Sequence, residues 1–161
     1  MAANVMDACA MIAYLEDEKG ADVVESLLVD PDRTCIAHAV NLAEVYKHYM
    51  KYKTVADAEA ATNFLLVDIG IVPYFNMTSD FWKEVAKVWG HITSAIQIPY
   101  LEKCHTIAMA DCFAIALAML EKGTVVTSDE QFFFVRDSDI CPVIFFRPPG
   151  TRYDYSRPKS G

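Results

Sequence analysis

The chain has no surplus of positive charge: 22 Asp and Glu stand against 14 Lys and Arg, for a formal net charge of −8. This rules out a broad basic face for nucleic acid, but not a local basic strip or a phosphate bridged by a cation. The five cysteines, Cys9, Cys35, Cys104, Cys112 and Cys141, are odd in number and form no CxxC pair. Reduced thiols are expected rather than a disulfide framework. Neither a P-loop nor a GxGxxG turn is present, which leaves a nucleotide-cofactor enzyme without support. No signal peptide is legible, since the N-terminus lacks a basic region and Asp7, Glu16 and Asp17 break its apolar stretch. The most apolar run, Ile107–Leu120, is shorter than the roughly twenty residues needed to cross a bilayer. The expectation is a soluble cytoplasmic protein.

What the chain does have is apolar substance, 53% of its residues, enough for one domain with a sizeable core. Ala3–Met6 reads as a short strand leading into a helix from Ala8 to Lys19, closed by Gly20. A second helix, Ala21–Asp30, ends before Pro31; Thr34–His38 is a buried strand, and Val40–Tyr52 a helix. Thr54 caps a long helix through Ile69, stopped by Gly70. Ile71–Phe75 reads as a strand whose Pro73 lacks an amide hydrogen, which assigns it to an edge or a strand end. Ser79 caps a helix that runs toward Pro99; later come a strand Thr124–Thr127, a short helical stretch Glu130–Val135 and a last strand Val143–Phe146. Strands alternating with helices predict a three-layer α/β/α domain with a mostly parallel central sheet. The domain is expected over residues 1–146, with Arg147–Gly161 as a basic C-terminal tail rich in Pro and Gly.

Asp111 is the only charge in the Ile107–Leu120 run. A helix apolar on every side is buried, and an ionised carboxylate there needs a compensating partner. Functional groups in such a sheet collect beyond the carboxyl ends of the strands. Asp7 directly follows the first strand, Glu44 is expected in the first turn of the helix after the second, and Asp129 directly follows Thr124–Thr127. From Asp111 to the helix end near Glu121 is about 16 Å at the usual helical rise. The following strand returns about the same distance at roughly 3.3 Å per residue. Asp111 and Asp129 should therefore finish at one edge of the sheet, and four acids surround one pocket.

Four crowded carboxylates cannot all stay ionised unless cations share the site, and all-oxygen ligands suit Mg²⁺ or Mn²⁺ rather than zinc. Such ions activate water and neutralise a phosphodiester during in-line displacement. A plainer reading stands beside this one. Asp7 and Asp129 each precede a helix as N-caps would, and Asn41 with Glu44 three residues on resembles a capping box. Asp111, expected past the first turn of its helix, is the acid that capping does not explain.

The stretches VMDACAMIAYL with Asp7, VNLAEVY with Asn41 and Glu44, MADCFAIALA with Asp111, and VVTSDEQF with Thr127 and Asp129 occur in this order along the chain. Together they resemble the PIN-domain ribonucleases, and more narrowly their VapC-type toxin branch. The resemblance implies metal-dependent cleavage of RNA, with Asp7, Glu44, Asp111 and Asp129 as catalytic and metal-binding acids. It implies that Asn41 and Thr127 support them by hydrogen bonding, that the protein is a homodimer, and that a protein antitoxin covers the site. Two other classes remain open: a catalytically silent PIN-like binding module, and a metal-dependent phosphohydrolase of small substrates.

Phe81, Trp82, Val85, Val88, Trp89 and Ile92 form an apolar stripe at helical spacing, read as a core face or, through its tryptophans, as a partner surface. Arg147, Arg152, Arg157 and Lys159 with Tyr153 and Tyr155 suit either a solvated terminus or a contact with RNA. Cys104, His105 and Cys112 fit no usual zinc spacing, and His38, His48 and His91 are assigned no chemistry.

Overall fold

The structure, a computed structural model, describes residues 3–95 and 107–149. Cys104, His105, the approach to Pro99 and the tail basic residues after Arg147 lie outside them. Five strands form one sheet: β1 (Ala3–Met6), β2 (Thr34–His38), β3 (Val72–Tyr74), β4 (Thr124–Thr127) and β5 (Val143–Phe145). Their order is β3-β2-β1-β4-β5, and every neighbouring pair is parallel. The mostly parallel expectation is met throughout, and Pro73 sits on an edge strand as its missing donor requires.

Alternate residues on each strand face opposite layers. Val5, Ile36 and Val125 join one core with Phe81, Val85, Ile92 and Phe113, which come from α5 (Ser79–Ala95) and α6 (Met109–Glu121). Met6, Cys35, Ala37 and Val126 join the other. That second layer holds α1 (Ala8–Leu15), α2 (Ala21–Leu28), α3 (Ala39–Tyr52) and α4 (Val55–Asn63). A short α7 (Phe132–Asp137) precedes β5. With both faces covered, β1 is buried along its whole length and β4 along all but its first residue, the buried polar Asn4 and Thr127 included.

Several elements differ from expectation. The first helix stops at Leu15, because Asp17 takes a left-handed φ of 52° and the chain turns there. Gly20, at φ 88°, opens α2 instead of closing α1, and a Cβ on it would lie 2.5 Å from the Phe146 carbonyl oxygen. Thr54 does cap α4, in a reciprocal pair with Asp57, but the α-helix ends at Asn63 and continues as a π-helical turn, Phe64–Asp68. The stripe on α5 divides: Phe81, Val85, Val88 and Ile92 are buried, whereas Trp82 and Trp89 are exposed. Arg147, expected at the start of a solvated tail, is buried and pairs with the equally buried Glu18 beyond α1. No helix among the described residues is long and apolar enough to cross a membrane.

Candidate active site

Asp7 directly follows β1 and caps α1, so capping and clustering coincide in one side chain. Its Oδ1 accepts from the Ala8 N–H at 2.7 Å, and its Oδ2 from the Thr127 hydroxyl at 2.8 Å. Thr127 is the last residue of β4, and its Oγ1 in turn accepts the Asp129 N–H at 3.1 Å. Asn41, fully buried, donates from Nδ2 to Asp7 Oδ1 at 3.4 Å and to the Ala110 carbonyl at 3.3 Å. One amide thus ties β1, α3 and the start of α6 together.

The capping-box reading of Asn41 and Glu44 does not hold. His38 caps α3, its Nδ1 accepting the Val40 N–H at 3.1 Å, so Asn41 is free to face Asp7. Glu44 stands in the second turn of α3, not the first, and is half-buried. Asp111 also departs from expectation. Ala108 is extended, α6 begins at Met109, and Asp111 lies in the first turn with its Oδ2 accepting the Ala108 N–H at 3.2 Å. It therefore does closing work at the helix start, where the open N–H groups favour an acid. Asp129 precedes α7, and its Oδ1 accepts the Gln131 N–H at 3.0 Å.

Two acids are deep and two are at the rim: Asp7 and Asp111 are 4% and 8% exposed, Glu44 and Asp129 half-buried. Burial pushes Asp111 up to about 8, and the charges of Asp7, Asp129 and Glu44 push the same way. Glu44 is raised to about 7, by burial first and then by Asp7, against the pull of Lys47 and Asn41. Asp7 is also raised by burial, with Asp129 adding to it, although its hydrogen bonds from Cys9, Thr127 and Ala8 oppose the rise. The four acids therefore share one electrostatic environment. Among the described residues, none of them forms an ion pair with Lys, Arg or His.

Cys9 was legible in the sequence only as a free thiol, yet it belongs to this cluster. Its Sγ–H donates to Asp7 Oδ2 at 3.1 Å, its Sγ lies 3.3 Å from Thr127 Oγ1, and the Ser128 N–H donates to it at 3.3 Å. Its place two residues past Asp7, in the first turn of α1, is the one sequence signal that could have suggested this.

As they stand, no three His, Cys, Asp or Glu side chains among the described residues are gathered as a ready-made metal site. The donor chemistry nonetheless suits a hard divalent cation: four carboxylates, no imidazole, and a mutual repulsion that such an ion relieves.

A doubly covered parallel sheet with acids collected beyond the carboxyl ends of β1 and β4 defines a class of α/β domain whose chemistry sits at one sheet edge. The family model of the PIN domain matches residues 5–136, and the chain belongs to that family. The fold is that of VapBC-1 from nontypeable Haemophilus influenzae, at a TM-score of 0.62 and 12% identity over 89% of this chain and 98% of that one. It is likewise that of VapBC-5 from Mycobacterium tuberculosis, of the VapBC family of toxin–antitoxin systems, at 0.59 and 21% identity over 89% and 98%. VapC20 from M. tuberculosis, a toxin that cleaves the sarcin–ricin loop, matches at 0.54 and 10% identity over 76% and 86%. No curated protein sequence matches the chain.

Proposed function

We propose that this protein is a divalent-cation-dependent endoribonuclease, the toxin of a toxin–antitoxin pair. The observation that carries the reading is the buried Asp7–Asp111 pair, coupled to Glu44 and Asp129 and without a cationic side chain to balance it. Membership of the PIN family supports a nuclease, and the toxin–antitoxin systems among proteins of the same fold support the biological setting. A protein antitoxin covering the site, a homodimer and a cytoplasmic location complete the proposal.

Asp7, Asp111, Glu44 and Asp129 would hold the cation. Mg²⁺ or Mn²⁺ bound there supplies a Lewis acid that neutralises the scissile phosphodiester and makes water nucleophilic near neutral pH. The remaining work is the chain's own. Thr127 commits its single proton to Asp7 and accepts the Asp129 N–H, so one hydroxyl orients the Asp7 carboxylate and anchors the backbone of Asp129. Asn41 fixes Asp7 against the start of α6 and so sets the separation of the two deep carboxylates. The Ala108 N–H holds the Asp111 carboxylate through its Oδ2.

The test is cleavage of structured and single-stranded RNAs by purified, partner-free protein with Mg²⁺, with Mn²⁺ and with EDTA. Asp111→Asn keeps an oxygen acceptor for the Ala108 N–H and should leave folding intact. It is expected to lower cleavage by more than about a hundredfold, through loss of a ligand charge. Full activity in that variant, or cleavage undiminished by EDTA, would overturn the mechanism. A folded, metal-loaded protein that cuts no RNA would favour the silent binding module.

A further inference from the structure

One face of α3 leads away from the acid cluster and carries an unusual set of residues for so acidic a chain. Glu44, Lys47, His48, Lys51 and Tyr52 line an open groove of about 200 Å³, with the half-buried Glu44 at its inner end. At the helical rise, Lys47 and Lys51 stand roughly 4.5 and 10.5 Å from Glu44 along the axis. Both are exposed, and among the described residues neither ion-pairs with a carboxylate. The Lys51 ammonium lies 4.9 Å from the centre of the exposed Tyr52 ring, and the His48 ring lies 5.0 Å from that of Tyr52.

Resting on the nuclease reading above, we propose that this groove is the track of the RNA strand beside the scissile phosphate. Lys47 and Lys51 contact successive backbone phosphates, and the Tyr52 ring offers a stacking surface to a base. Three observations carry the assignment together. The groove begins at one of the four acids, so a strand held in it has a phosphodiester at the site. Its two exposed ammonium groups, neither within salt-bridge distance of a carboxylate among the described residues, complement a polyanion that the net charge of −8 otherwise repels. Lysines alternating with aromatic rings in a concave strip are what a single strand needs, charge for the backbone and a flat face for the base. A helix C-terminus attracts a lysine in any protein, which accounts for Lys51 alone but not for Lys47, the groove or the rings.

The experiment is equilibrium binding of a fluorescein-labelled single-stranded RNA to the full-length protein in the Asp111→Asn background with Mg²⁺, over a range of salt concentrations. The K47Q/K51Q pair should weaken binding roughly tenfold at low salt. It should also lower the slope of log affinity against log salt by about 1.4, at about 0.7 per lost phosphate contact to a single strand. Tyr52→Ala should weaken binding about fivefold or more with the salt slope unchanged, since stacking carries no counterion release. A control that removes the same charge elsewhere, K87Q/K122Q, should keep the parent slope, and thermal unfolding of each variant establishes that it is folded. An unchanged slope in folded K47Q/K51Q, or an equal loss in the control, overturns the track and leaves the nuclease reading intact. Wild-type protein that neither cuts nor binds RNA overturns the nuclease reading and the track together.

Discussion

At the scale of single residues, the site is a set of hydrogen bonds that converge on Asp7. Asn41 and Thr127, singled out beside the acids in the sequence, both reach its carboxylate. Cys9 adds a third side-chain contact and also takes the Ser128 N–H, fastening the loop that carries Asp129. Its thiol, pushed up by burial and by the charge of Asp7, stays protonated and serves as a donor rather than a nucleophile. Cys9→Ala removes a donor from Asp7 and leaves the buried Ser128 N–H unsatisfied, at a cost of about 1–3 kcal/mol. Cys9→Ser, which retains both a donor and an acceptor, should recover most of that loss. Chemical denaturation of the two variants with cleavage kinetics checks this, and equal stability for Cys9→Ala and wild type would show that the thiol holds nothing.

Among elements, the clearest energetic coupling lies outside the site. Arg147 follows β5 and pairs with Glu18 in the turn between α1 and α2, with side-chain exposures of 6% and 0%. Glu18 Oε1 and Arg147 Nε have no partner of their own, so the pair is only partly compensated. Breaking such a pair from one side strands a buried charge and costs about 3–5 kcal/mol, whereas replacing both members is close to neutral. Arg147→Met alone should therefore destabilise strongly, and adding Glu18→Leu should restore most of the stability in urea unfolding. A small effect of the single variant would mean that the pair is hydrated in solution. The same contact explains why Gly20 must be glycine in practice: its left-handed φ and its approach to the Phe146 carbonyl both follow from docking this segment.

For the whole molecule, the acid cluster links stability to pH and to cations. Asp111 rises from 3.8 to about 8 and Glu44 from 4.5 to about 7, so the folded protein binds protons more tightly than the unfolded chain. For carboxyls shifted upward, the stabilising contribution is fully present below the unfolded value and is lost as pH rises through the folded one. The melting temperature of the cation-free protein should thus fall between about pH 4 and about pH 8, the window those two shifts define. Excess Mg²⁺ should reverse the fall at the upper end, since an ion that binds only the folded state stabilises it. Asp111→Asn should flatten the profile. Thermal unfolding in EDTA and in Mg²⁺ across that range decides the matter, and a melting temperature that climbs with pH in EDTA would contradict the coupling of these acids.

Taken by itself, the sequence determined the layer architecture and the edge at which the acids gather. Both follow from local quantities: runs such as Val125–Val126 that suit a doubly covered strand, a proline that excludes Val72–Tyr74 from the sheet interior, and element lengths that return Asp111 to the edge of Asp129. What only the tertiary structure decided is non-local. The strand order places β1 beside β4, and this brings Cys9 to Thr127 although 118 positions separate them. It places Asp111 in the first turn of α6 instead of beyond it, buries Arg147 against Glu18, and exposes Trp82 and Trp89 on a stripe whose other members are core. A helical or strand period records which residues must leave water, but not which distant element receives them. That depends on strand pairing and layer packing, which the whole chain settles together.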